Sequence, residues 1–334
     1  MNQTELEDMW ATRVGARDAV VLAAPHVPAA LAELGLVGRG DRLVAFADDF
    51  AEAFAERFGG ADLAFVEAPR IDAFEAASAG AESEGRLFWF VNSIGGYGLR
   101  VPDLRRLGAA AEAAGAVLVV DNTVASHFGC HPHDLGATMA LEALDRVCGG
   151  AAPRKLVAAS VARSQRKRRR VDARAEWAHD ALTAARVRLA PLVQPDIDAV
   201  EAGVATVSLR MQMHMDRARA VAEYLTANEM VSGVAYPGLA SHPDHMAATS
   251  NLLHGFGPAV EFELPESLSA GEFFGMLPDT YRTSPAGGAV TRVSAPKDKS
   301  SGLVRLFAGI DDPLAVAADI DTALRAFYHP TVIA

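Results

Sequence analysis

The sequence predicts an α/β fold, with a mostly parallel sheet flanked by helices and a smaller α+β C-terminal domain. Three features carry this. The first half alternates short β-rich runs with Ala/Glu-rich stretches of helical spacing. The runs lack polar alternation, which marks strands covered on both faces. From Tyr236 the texture changes to turns and short strands. The expected division is a large domain over 1–205 and a small one over 206–334.

The runs of the first half read AVVLAA (19–24), RLVAFA (42–47), LAFVEA (63–68), LFWFV (87–91) and AVLVVD (116–121). A weaker ATMALEAL (137–144) and KLVAASVA (155–162) complete the set. Residues 28–37, 50–58 and 103–114 supply the helices between them, giving a doubly wound layer. Residues 163–175 break the pattern with charge. A long helical stretch follows, then a second helix from about Leu209 to Ala227. The small domain has a Tyr236-Pro237-Gly238 turn and strand-like VEFEL (260–264), VTRVSA (290–295) and LVRLFAG (303–309). Its last helix starts with Asp312 as N-cap and Pro313 at the first position. Leu314, Ala317, Ile320, Leu324 and Phe327 share one face of it.

The 334 residues are half apolar, enough for a sizeable core without staples. A net charge of −11 argues against general nucleic-acid binding. The basic run Arg166-Lys167-Arg168-Arg169-Arg170 reads as a solvated loop. The acidic opening MNQTELEDMW excludes an ordinary secretory signal. No apolar stretch approaches the ~20 residues of a membrane helix. Cys130 and Cys148 form no disulfide framework and fit a reducing, cytoplasmic setting. His127, Cys130, His131 and His133 have zinc-ligand chemistry at short spacing. Clustered loop histidines more often face solvent, so no metal is expected. His242 and His245 read as structural. Gly95-Gly96-Tyr97-Gly98 lacks the spacing and the acidic partner of a dinucleotide site.

Several segments, taken in order, resemble the Cys/Met-metabolism (cystathionine γ-synthase/γ-lyase-like) family of pyridoxal-phosphate enzymes, fold type I. Asn2-Gln3-Thr4 with Leu6-Glu7 is similar to its "NPT…LE" helix start. VVDNT (119–123) matches its strand end, and LGAT (135–138) followed by Gly149-Gly150 resembles its "LGAD…SATKYLGG". Ser208-Leu209-Arg210-Met211, Tyr236-Pro237-Gly238-Leu239, Ser241-His242-Pro243 and Gly255-Phe256-Gly257 follow in family order. So does Gly302-Leu303-Val304-Arg305-Leu306. Any one motif is weak; together they span nearly the whole chain.

The resemblance implies a site and also exposes what is missing from it. The family lysine forms a Schiff base with the cofactor and shuttles the substrate proton. Its position falls on Arg146, whose guanidinium stays protonated. The neighbouring family serine and threonine fall on Ala143 and Asp145. The phosphate-binding Ser-Gly-Met turn falls on Ala24-Pro25-His26, where a hydroxyl and an N–H donor are lost. The ring-stacking aromatic falls on Ala51 in Asp49-Phe50-Ala51. Gly95 to Gly98 replaces the family's "PSNP" loop, and the arm that reaches a neighbouring subunit is absent, since the chain starts near the NPT position. Lys155 is the only lysine near the lost site and would be a remote substitute.

Asp121 matches the carboxylate that pairs with the pyridine nitrogen; alternatively it caps its own loop. With Thr123 it is read as a vestigial cofactor contact. Arg305 matches the arginine that grips the substrate carboxylate; alternatively it pairs with an Asp or Glu. Three functions stand on these residues. One is a pseudoenzyme acting as an assembly partner or regulator, without covalent cofactor, forming homo-oligomers or hetero-oligomers with an active paralogue. Another is an active transsulfuration-type enzyme that uses pyridoxal phosphate. The last is a sensor binding a small carboxylate ligand at Arg305.

Overall fold

The computed structural model describes residues 1–46, 51–79, 85–163 and 172–328. The basic run at 166–170 lies outside them, as do Asp49 and Phe50. The strands of the large sheet are β1 (Asp18–Ala23), β2 (Arg42–Ala45), β3 (Asp62–Phe65), β4 (Leu87–Asn92), β5 (Val117–Asp121), β6 (Met139–Ala143) and β7 (Leu156–Val161). They lie in the order β1-β7-β6-β5-β4-β2-β3. The pairings β2–β3, β2–β4, β4–β5 and β5–β6 are parallel, and β7 runs antiparallel to both β6 and β1.

The missing polar alternation has the expected cause. In β4, Phe88 and Phe90 enter one core cluster while Trp89 and Val91 enter another on the opposite face. Helices cover both faces. One is Leu104–Ala114, started by the Asp103 side chain accepting the Arg106 N–H and ended by Gly115 at φ 70°.

The second sheet has β8 (Ser232–Ala235), β9 (Ala259–Glu263), β10 (Arg292–Ser294) and β11 (Leu303–Phe307), ordered β10-β11-β9-β8 and antiparallel throughout. The last helix, Pro313–Tyr328, begins where the caps place it, with Asp312 accepting the Leu314 N–H at 3.0 Å. Leu314 itself is 75% exposed, so it leaves the apolar face, which Val316, Ala317, Ile320, Ala323 and Leu324 form.

The helix expected from Leu209 instead starts at Gln194 and runs unbroken to Thr226. Residues 205 and 206 lie inside it, so the expected division falls within one element rather than in a linker. This helix packs on β8, β9 and the last helix, and also on the first helix, Gln3–Arg13. At Gly203 it passes against the turn after β6, where a Cβ would overlap the Val147 carbonyl and sit 2.8 Å from Cys148 Cα. Alanine is the better helix former by about 1 kcal/mol, but overpacking against backbone costs about 1–3 kcal/mol. The net cost of up to about 2 kcal/mol means that Gly203→Ala is expected to lower Tm by up to about 4 °C in thermal denaturation. A Tm at or above that of the parent would contradict this close approach.

Candidate functional site

The parallel strands β4, β5 and β6 end side by side, with Asn92, Asp121 and Leu141 in register. Ligands of open α/β sheets bind at such carboxyl ends. Here the small sheet closes over them: Arg146 follows β6 and stacks on Phe307 of β11, 4.9 Å from the ring centre.

Asp121 is buried, and its Oδ1 accepts the Thr123 N–H at 2.8 Å, a cap on its own loop. Burial pushes its carboxyl up to about 6, with the Thr123 hydrogen bonds and the nearby Arg146 acting the other way. Thr123 stitches strand ends together. Its hydroxyl accepts the Ala143 N–H at 2.9 Å, and its carbonyl accepts Arg146 Nη1 at 3.1 Å.

Arg146 is 4% exposed. Burial lowers its guanidinium to about 10, partly offset by Asp145, Asp121 and Glu142, so it stays charged at neutral pH. Its backbone is clamped from the long helix, where Arg210 donates to the carbonyls of Arg146, at 2.7 Å, and of Val147. His214 of the same helix is buried nearby and pushed down to about 4 by burial and by Arg146, Arg210 and Arg217.

Arg305 is buried opposite Glu261, its direct partner across β9 and β11. Its Nε donates to Glu261 Oε1 at 2.5 Å and its Nη2 to the Gly96 carbonyl at 2.9 Å. Glu261 Oε2 accepts the Gly98 N–H at 2.6 Å. The Gly95-to-Gly98 loop after β4 is thus fastened to the small sheet by one ion pair. Glu261 was not singled out in the sequence. Its signal was an acidic residue in a strand that could face the arginine of another, but only the register reveals the pairing.

Lys155 lies outside this gap. It is exposed and its amine pairs with Asp145. The other described lysines, Lys297 and Lys299, are exposed too. At the turn expected to hold phosphate, His26 caps the helix Val27–Glu33, its Nδ1 accepting the Ala29 N–H at 3.1 Å. Pro28 has no N–H to offer. Ala51 opens a helix and carries no ring.

The histidines after β5 are not the solvent-facing group expected. His127 is buried, its N–H donated to Glu142 at 2.8 Å, and its ring meets Trp10 edge-on. His133 is buried between Ser160 Oγ, at 2.8 Å, and the Ala137 carbonyl, and burial holds it down to about 4. Burial pushes the Cys130 thiol up to about 12. Of these four residues His131 alone is not buried, and it is only half-exposed. Among the described residues no group of three or more His, Cys, Asp or Glu could hold a metal. His242 bonds the Gly98 carbonyl at 2.8 Å and His245 the Pro237 carbonyl at 2.9 Å, both tying loops.

Pyridoxal phosphate, the cofactor that the resemblance implies, does not fit these side chains. No described lysine lies in the gap, and the phosphate turn has spent its Ala29 donor on His26. Arg305 already holds a carboxylate.

Asp121 gives a pH test. Its folded carboxyl holds a proton up to about pH 6 whereas an unfolded one releases it near 3.8. The folded state binds more protons in that window, so stability falls as pH rises through it. About two pKa units correspond to about 3 kcal/mol at most. Asp121→Asn keeps an acceptor for Thr123 and removes the charge. Relative to the parent it is expected to gain up to about 3 kcal/mol between pH 4 and pH 8 in urea denaturation. A difference that does not change with pH would contradict the burial argument.

A sequence model of the family described as Cys/Met metabolism PLP-dependent enzyme matches residues 2–325. Cystathionine beta-lyase of Lactococcus lactis subsp. cremoris is 30% identical over 242 residues, 68% of this chain and 60% of that protein. The match thus spans about three fifths of the first curated relatives. Cystathionine gamma-lyase of Bos taurus is 26% identical over 319 residues, 88% of this chain and 74% of that one. Among solved structures, apo CalE6, a methionine gamma lyase from Micromonospora echinospora, superposes with a TM-score of 0.82 at 26% identity. That match covers 97% of this chain and 85% of that one. No helix among the described residues is long and apolar enough to cross a membrane. With the whole span from residue 2 to 325 matched, the chain belongs to the Cys/Met metabolism family of PLP-dependent enzymes, fold type I.

Proposed function

We propose that this chain is a pseudoenzyme of its family, one that forms no covalent link to pyridoxal phosphate and acts in the cytoplasm as an assembly partner or regulator. The observation that carries this is Arg146, a buried guanidinium at the position where the resemblance places the cofactor lysine. A guanidinium lowered only to about 10 supplies no neutral amine near pH 7. The His26 cap and the Arg305–Glu261 pair support the same reading, since each satisfies from within the chain a group that would otherwise receive a charged part of a ligand. Assembly with itself or with an active paralogue would use surfaces that do not depend on the cleft.

A second reading is an active transsulfuration-type enzyme, a C–S lyase or synthase on cysteine or homoserine derivatives. The relatives favour it: those compared above are a cystathionine beta-lyase, a cystathionine gamma-lyase and a methionine gamma lyase. On that criterion it stands ahead of the pseudoenzyme, and only the side chains of the cleft argue the other way. Pyridoxal phosphate would have to find another amine, and Lys155 would have to leave Asp145 and turn inward.

The absorbance spectrum of the purified chain with added pyridoxal phosphate, followed by borohydride reduction and peptide mapping, separates the two. The pseudoenzyme reading expects the spectrum of free cofactor, no labelled lysine and no turnover of cystathionine. A shifted band that reduces onto Lys155 would move the enzyme reading to the front. Lys155→Ala is expected to change stability by less than about 1 kcal/mol, as for other exposed pairs, and to leave the spectrum as it was. A spectrum altered by that substitution would count against the first reading.

A further inference from the structure

The Arg305–Glu261 pair has the form of a bound carboxylate. One carboxylate accepts Arg305 Nε at 2.5 Å through Oε1 and the Gly98 N–H at 2.6 Å through Oε2, with Glu261 1% and Arg305 7% exposed. A guanidinium and a backbone N–H converging on two oxygens of one carboxylate is a receptor geometry for that group. The occupant happens to be covalently attached, from the strand directly opposite.

We propose that Arg305 and the Gly98 N–H form a carboxylate-binding site whose resident occupant is the chain's own Glu261, so that free small carboxylates, amino acids included, are excluded from it. This rests on the reading of a cleft satisfied from within. The Gly96 carbonyl takes a further Arg305 N–H at 2.9 Å, so the loop after β4 holds both halves of the receptor in place whether or not Glu261 fills it. An entering carboxylate gains nothing over Glu261 in chemistry and lacks its tether, so it loses the competition on entropy.

Glu261→Ala deletes a CH2–COO⁻ group, the heavy-atom equivalent of acetate. The test measures Tm of the full chain as parent, Glu261→Ala and Glu261→Ala/Arg305→Ala, each titrated with acetate or with uncharged acetamide. The parent is expected to respond equally to the two additives. Glu261→Ala should melt lower and regain about 2–5 °C with acetate in a saturable way, with no gain from acetamide. The double variant should lose the acetate response. Acetate shifting the parent as much as Glu261→Ala, acetate and acetamide acting alike on Glu261→Ala, or an acetate gain that survives loss of Arg305 would each overturn the proposal. If Glu261→Ala does not fold unaided, its refolding yield from urea replaces Tm: a higher yield in acetate than in acetamide supports the site, and equal yields sink it. Pyridoxal phosphate takes no part in these measurements, so trapping of the cofactor on a lysine would defeat the pseudoenzyme reading without deciding this one.

Discussion

A guanidinium and a carboxylate taken out of water must neutralise each other, and the opposed pair Arg305–Glu261 settles how the two sheets of this molecule meet. Removing either partner would strand a buried charge, a cost of about 3–5 kcal/mol. Because Glu261 also takes the Gly98 N–H and Arg305 the Gly96 carbonyl, the loop after β4 is fastened to β9 and β11 at one point. The same logic extends across the gap. Arg146 stacks on Phe307, donates an N–H hydrogen bond to the Thr123 carbonyl and leans on the field of Asp145, Asp121 and Glu142. His26 closes the third polar opening by capping its own helix. Cations, anions and a helix terminus that could each receive part of a ligand are answered by the chain itself.

Much of the fold was legible because its signals are local. Strands buried on both faces, such as LFWFV, carry no polar alternation, and the structure explains it by the two cores that Phe90 and Val91 enter from opposite sides. Caps at Asp312 and the helical spacing of 103–114 placed element starts closely. What stayed hidden depends on distant partners. The antiparallel insertion of β7 between β1 and β6 leaves no mark on KLVAASVA itself. The Gln194–Thr226 helix crosses a stretch where composition suggested a break, because its two halves enter different cores: Ile197 to Met215 pack in the cluster of Leu6 and Trp10, and Ala218 to Leu225 in that of the small sheet.

The candidate site divides along the same line. The register of family-like motifs brought Asp121, Thr123, Arg146 and Arg305 to one gap, and left Lys155 outside it on an exposed carboxylate. Both residues with two readings show local partners: Asp121 caps the Thr123 N–H, and Arg305 holds a glutamate. Glu261 escaped notice because cross-strand register is set by the turn and by the opposite face of the sheet. His127 and His133 read as part of a solvated loop, but both rings lie in the interior: His127 Nδ1 faces the buried Glu142 and His133 Nε2 the Ser160 hydroxyl, while His127 Nε2 has no partner among the described residues.

The chain's own side chains answer the charged groups of the cleft, Arg305 and Arg146 among them, and a crystal structure grown in pyridoxal phosphate would show whether they keep those partners. Density is expected for Glu261 on Arg305, for Arg146 against Phe307 and for His26 at its cap, with no cofactor in the gap. A cofactor ring seated beside Asp121, with Arg146 displaced and Arg305 released from Glu261, would contradict it.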